Sequence, residues 1–211
     1  MTKQIDPLRR LALALLVLNL AGCSSLFTTP PRPLYRLTAP SDFPVAIPRI
    51  AAQLTIGVPY APNAIDTARI AISRSATSLD YLADGDWTDR APSLVQSVLI
   101  EAFENSKAFK AVGPDSLDLR ADFVVQGDLR HFEAVYDSAS PIPSAWVALA
   151  VKLVKVPEQK ILAETMISAR QPAQANATPQ IVLAFNAALA SVAKQTVAWV
   201  LAEPALSAPR R

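Results

Sequence analysis

Phe123-Val-Val-Gln-Gly-Asp-Leu-Arg-His-Phe-Glu-Ala-Val-Tyr136 and, after a short gap, Trp146-Val-Ala-Leu-Ala-Val-Lys-Leu-Val-Lys-Val156 decide the fold. In the first segment Phe123, Val125 and Leu129 alternate with polar positions, the period of a strand with one buried face. Beyond them Phe132, Ala134 and Tyr136 take the opposite phase, as a bulge allows, and Gly127 is the candidate bulge residue. The second segment is apolar on both faces, which suits a central strand. Ile161 to Ala169 alternates again after Pro157-Glu-Gln. Thr178-Pro179 then marks a helix start, with a capping hydroxyl and a proline in the first turn. Ile181, Val182, Phe185, Leu189, Val192, Val197 and Val200 stripe one face of that helix until Glu203-Pro204.

Upstream the order is the same. Leu34 to Leu37 is a short strand candidate, and Leu54, Ile56 and Val58 alternate up to Pro59. Ile70 and Ile72, then Leu79 and Tyr81, predict a hairpin, followed by Asp84-Gly85 as a turn pair. Trp87 and Asp89 open a helix with Pro92 in its first turn and Leu94, Val95, Val98, Leu99, Ala102 and Phe103 on one face. Asn105-Ser106 closes it, and Lys107 to Val112 reads as a short strand. Strands, helix, strands, helix, with one greasy face per helix, predict an α+β fold. It has two layers: a mainly antiparallel β-sheet with two amphipathic helices on one face.

The N-terminus sets the address. Lys3, Arg9 and Arg10 precede an apolar run of about ten residues, half of what a membrane-spanning helix needs. This is the layout of a signal peptide. It ends in Leu20-Ala21-Gly22-Cys23, which resembles the lipobox of bacterial lipoproteins. Cleavage is expected between Gly22 and Cys23, with the Cys23 thiol as acceptor of the diacylglyceryl group. Cys23 is the only cysteine, so no internal disulfide or thiolate metal cluster is available. The expected layout is a signal peptide over 1–22 and a lipidated Pro-rich tether over 23–33. A folded domain over 34–203 and a flexible tail over 204–211 follow. Several acyl chains, each contributing about 0.8 kcal/mol per buried CH₂, anchor a protein stably without spanning the bilayer. Ser24 and Ser25 stand where an Asp acts as the enteric inner-membrane retention signal. The outer membrane, facing the periplasm, is therefore the expected location.

Composition narrows the chemistry. Twenty Lys+Arg stand against 18 Asp+Glu; removing residues 1–22 takes three bases and one acid, leaving 17 of each. A nucleic-acid binder carries a marked basic excess, and this chain has none. Five scattered glycines hold no phosphate-binding loop, and no G-x-S-x-G elbow occurs. The single histidine, His131, has no identifiable nucleophile or orienting acid in the sequence and reads as structural. Asp84, Asp86 and Asp89 lack calcium-loop spacing and read as a solvated turn with a helix-start acid. No metal and no cofactor are expected. Trp87 covers the start of the first helix and Trp199 sits in the last. Tyr136, Ile142 and Trp146 flank or occupy the loop Ser138-Ala-Ser-Pro-Ile-Pro-Ser-Ala145. They are the candidate partner-binding residues, alongside the sheet edge, because exposed Trp, Tyr and Ile on a loop suit a contact surface. The competing reading is that Trp146 is simply buried at the start of a central strand.

A lipobox and Pro-rich tether come first. A Tyr-Arg-Leu strand (Tyr35 to Leu37), a Leu-Thr-Ile-Gly-Val-Pro strand (Leu54 to Pro59) and an Ile-x-Ile-x-Arg strand (Ile70 to Arg74) follow. Then come Trp87 before a helix, Asp122-Phe-Val-Val125 and a long final helix. In this order they resemble the ABC-type transport auxiliary lipoproteins, the PqiC-like lipoproteins that accompany MCE-type lipid transporters. The segment Thr88-Asp-Arg-Ala-Pro92 departs from the family's Ala-acidic-Pro pattern. The resemblance implies a non-catalytic envelope component. Its expected partners are an MCE-type periplasmic protein and an ABC permease and ATPase complex, with phospholipid as a candidate ligand and no nucleic acid. A structural or pilotin-like lipoprotein of an outer-membrane barrel or secretin is the alternative; an envelope hydrolase is disfavoured by the missing catalytic sets.

Overall fold

The computed structural model describes residues 31–43, 49–117, 121–137, 140–156 and 158–206. Gly22, Cys23, the tether up to residue 30 and the tail from 207 lie outside the described residues. From Pro33 onward the chain forms one compact unit. Its strands are β1 (Leu34–Tyr35), β2 (Ile50–Ile56), β3 (Arg69–Ser75), β4 (Ser78–Trp87), β5 (Phe109–Pro114), β6 (Phe123–Val135), β7 (Ser144–Lys155) and β8 (Lys160–Pro172). Helix α1 (Ala91–Ser106) lies between β4 and β5, and α2 (Thr178–Leu201) follows β8.

The sheet is mixed, which corrects the mainly antiparallel expectation. β6–β7, β7–β8 and β3–β4 pair antiparallel. β2 runs parallel to both β5 and β6, β3 parallel to β6, and β1 parallel to β4. Alternation in sequence reports which face a residue takes, not the direction of its neighbour. The chain passes through α1 between β2 and β5 and between β3 and β6, and parallel pairing needs such a crossover. The architecture remains α+β.

β6 organises the whole sheet. One edge pairs along its length with β7, from Phe123↔Lys155 to Val135↔Ser144. The other edge is divided: its beginning pairs with β2 (Leu54↔Phe123 to Ile56↔Val125) and its end with β3 (Ala71↔Glu133 to Ser73↔Val135). The Tyr60↔Asp128 bridge lies between them.

The phase change in β6 is real, but its place differs from expectation. The register slips between Leu129 and His131, so Leu129 and Phe132 are both fully buried. Gly127 is not the bulge. It sits beside Leu149, whose Cδ1 would lie 3.0 Å from an added Cβ. Asp84-Gly85, expected as a turn, lies inside β4. Gly85 is needed there because the Tyr35 ring would come within 2.6 Å of a Cβ.

The helices pack side by side on one face of the sheet. Val95, Leu99 and Phe103 of α1 and Ile181, Phe185, Leu189 and Val192 of α2 are fully buried, as are Leu54, Ile56, Leu149, Val151 and Leu153. Trp87 ends β4 rather than opening α1. It is 1% exposed, and its ring meets Phe132 at 5.7 Å and Phe185 at 5.2 Å. Pro92 does fall at the start of α1. The expected Thr178 cap is not made: Ala177 is the N-cap, and the Thr178 hydroxyl donates to Asp84 Oδ1 at 2.6 Å. α2 is long and apolar enough to cross a membrane, yet 56% of its most apolar window is buried. It packs on β7 and β8 as a core helix.

Candidate functional site

The face of β6–β7–β8 opposite the helices carries the distinctive side chains. Residues alternate along β7, so Ala145, Val147, Leu149, Val151 and Leu153 point at the helices. Trp146, Ala148, Ala150, Lys152 and Val154 therefore take the other face. Trp146 is half-buried and lies outside the core cluster; the buried-core reading of it does not hold. His131 of β6 stacks on its ring, with centroids 3.3 Å apart and planes 13° from parallel. Arg170 of β8 places its guanidinium 3.9 Å from the ring centroid. The Trp146 indole donates to Ser168 Oγ at 3.0 Å. His131 Nδ1 lies 2.8 Å from Glu133 Oε1, and Glu133 Oε2 accepts the Phe132 N–H. An Arg–Trp–His ladder thus crosses three strands, and its cation–π contact, Arg170 on Trp146, contributes about 0.5–1 kcal/mol at an exposed site.

The acid that orients His131 is therefore Glu133, two residues along the same strand, and it escaped the sequence reading. Strand neighbours at i and i+2 share a face, so the spacing itself was the signal. Among the described residues no hydroxyl or thiol is hydrogen-bonded to the His131 ring. No group of three or more His, Asp or Glu among them is arranged to hold a metal ion.

The other predicted contact residues are not gathered with Trp146. Tyr136 follows Phe132 and Ala134 onto the helix side. There its hydroxyl donates to Asn176 Oδ1 at 2.8 Å and Arg74 lies over its ring. Ile142 is 37% exposed in the loop leading into β7, where Ser140 Oγ accepts its N–H. Ile142 and Trp146 thus flank one end of β7, and Tyr136 belongs to a different face. Residues 138 and 139 lie outside the described residues. Among the described residues β8 pairs only with β7, which leaves its other edge without a strand partner among them.

Exposed apolar side chains that the sequence reading did not single out border the same face. Val58, Tyr60, Ile161 and Met166 are each more than half exposed. Val58 looked like the third member of an alternating strand, but β2 ends at Ile56, and Pro59 was the available signal. Tyr60 bridges to Asp128, which pairs with Ala150, which pairs with Met166. Between Val58 and Tyr60 on one side and Lys152 on the other lies a hollow of about 240 Å³, with Asp115, Gln126 and Asp128 on its walls. Asp128 is paired with Arg130 at 2.9 Å. Asp115 and Lys152 have no side-chain partner among the described residues. A larger hollow of about 690 Å³ lies at the β2–β5 edge beside residue 49. Asp42, Glu158 and Arg90 titrate away from their ordinary values, each chiefly through the side-chain hydrogen bond of one ion pair. Lys194 lowers Asp42, Lys155 lowers Glu158, and Asp66 raises Arg90. None of the three lines the smaller hollow.

Comparison with known proteins gives a consistent result. The family described as ABC-type transport auxiliary lipoprotein component matches residues 35–197. The crystal structure of XCC0632 from Xanthomonas campestris is 26% identical, with a TM-score of 0.72 over 83% of this chain and 96% of that one. A second crystal structure, 10% identical with a TM-score of 0.64 over 81% of this chain, shares the fold. A Bradyrhizobium diazoefficiens protein, bll6063, is 27% identical over 167 residues, 79% of this chain and 44% of that protein. The chain therefore spans less than half the length of this curated relative.

Proposed function

Because the chain belongs to the family of ABC-type transport auxiliary lipoprotein components of the cell envelope, we propose that it is a non-catalytic recognition subunit of an ABC/MCE-type lipid transporter. It is lipidated at Cys23 and tethered to the outer membrane on the periplasmic side. Its partners are an MCE-type periplasmic protein and the permease and ATPase complex. The match over residues 35–197, nearly the whole folded region, carries this reading. Three features support it. His131 is committed to Glu133 and Trp146 rather than to a nucleophile. The chain has no phosphate-binding loop. The open β8 edge and the Ile142–Trp146 end of β7 offer backbone groups and apolar anchors to a partner.

Capture of the lipidated protein from envelope membranes tests the reading, with identification of the proteins and lipids that come with it. Co-purification of an ATPase, a permease and an MCE-type protein is expected. A secretin or outer-membrane barrel in their place would transfer the protein to the structural-lipoprotein class.

A further inference from the structure

We propose that the hollow between Tyr60 and Lys152 on the helix-free face binds a small zwitterionic phosphodiester, its ammonium group at Asp115 and its phosphate at Lys152. The lipid origin of such a ligand rests on the transport reading above; the site does not.

Size comes first. About 240 Å³ is below the roughly 300–1,000 Å³ of pockets for drug-sized ligands. It fits a headgroup and excludes an acyl chain. Charge comes next. Arg130 neutralises Asp128, so the remaining charges on the hollow are one carboxylate, Asp115, and one ammonium, Lys152. They do not pair with each other, since no contact within 4 Å joins them. A simple anion entering the hollow meets Asp115, and a simple cation meets Lys152. A ligand carrying both signs a few ångströms apart satisfies both, and like-charge juxtaposition disfavours the others. Gln126 and the Tyr60 hydroxyl add neutral donors suited to phosphodiester oxygens.

Backbone and small residues keep the space open. Gly57 has no side chain where a Cβ would come within 3.2 Å of Asp115 Oδ2. Ala150 floors the hollow between Asp128 and Met166. Val58 and Tyr60 on the rim and Met166 beyond it are 53%, 69% and 56% exposed. They give the apolar part of an amphiphile a surface to lie on while its headgroup is held below.

The test uses the full lipidated chain in detergent. Glycerophosphoethanolamine is titrated and followed by ³¹P NMR, with glycerol 3-phosphate and ethanolamine as controls of a single charge sign, ethanolamine being read through its competition with the phosphorus-bearing probe. Saturable binding of the zwitterion, at least ten-fold tighter than either control, is expected. Lys152→Met and Asp115→Asn should each weaken it ten-fold or more. Ala150→Leu, which fills the floor without changing charge, should abolish it, with far-UV circular dichroism unchanged in all three. Mixed micelles containing phosphatidylethanolamine should displace the probe while phosphatidylglycerol micelles do not. Displacement by neither micelle would keep the zwitterion site but assign it to a soluble phosphodiester. Absence of saturable binding, equal binding of glycerol 3-phosphate, or wild-type affinity in folded Lys152→Met overturns the proposal. Partner capture is scored on the same variants. If it persists while the probe fails to bind, the site is wrong and the transporter reading stands.

Discussion

Two tryptophans separate core from surface at the residue scale. Trp87 is 1% exposed and locked between Phe132 and Phe185. Trp87→Ala leaves a cavity where three aromatic rings meet, and should cost about 3–5 kcal/mol, measured as a lower urea midpoint with an unchanged slope. Trp146 stands outside that core, so Ile142→Asp combined with Trp146→Ala should leave far-UV circular dichroism native. The same variant should weaken capture of the proposed MCE-type partner at least ten-fold; unaltered capture by the folded variant would remove this end of β7 from the proposed interface. The sequence could not distinguish the two residues. Each precedes or opens an apolar run, and burial depends on what crosses above it. Trp87 lies where β4 meets α2, and Trp146 lies on the face that neither helix covers. Tyr136 was misgrouped with Trp146 for a related reason: ten residues apart in the chain, they belong to opposite faces of one sheet.

The informative element is β6. Its two phases of alternation were legible from Phe123, Leu129 and Phe132, because buried positions must be apolar whatever the topology. The position of the bulge was not, since glycine signals both a bulge and a close approach, and Gly127 serves the second beside Leu149. The parallel pairings were equally hidden, because side-chain period is the same in either direction. Deleting Arg130 tests the bulge. Arg130 is the extra residue, so without it Leu129↔Leu149 is followed directly by His131↔Ala148 and Phe132↔Val147, and every side chain keeps its face in a now regular strand. Retained protease resistance across β6 and β7 is therefore expected for the deletion, as for Arg130→Ala. A protease-sensitive deletion variant would show that Arg130 is not the extra residue, and that its loss shifts the second half of β6 out of register.

For the molecule as a whole, the proposed anchor and the folded unit can be tested separately. Cys23→Ser should leave the precursor uncleaved after Gly22 and unlabelled by an alkynyl fatty acid. A variant that retains label would refute lipidation at this residue. A form starting at Ser24 and exported without acylation should fail to restore the membrane barrier in a deletion strain; full rescue would make the anchor dispensable. The divided edge of β6 has a consequence for how such a chain reaches its folded state. Leu54 pairs with Phe123 and Ala71 with Glu133, contacts 69 and 62 residues apart along the chain. Pairings of that separation form slowly. Until residues 123–135 arrive, β2 and β3 present unpaired edges, the kind of surface through which partly folded chains aggregate. A chain delivered N-terminus first spends that interval with five of its eight strands made and with β2 and β3 each open along one edge. The demand this protein places on holding chaperones is thus set by the arrival time of a single strand.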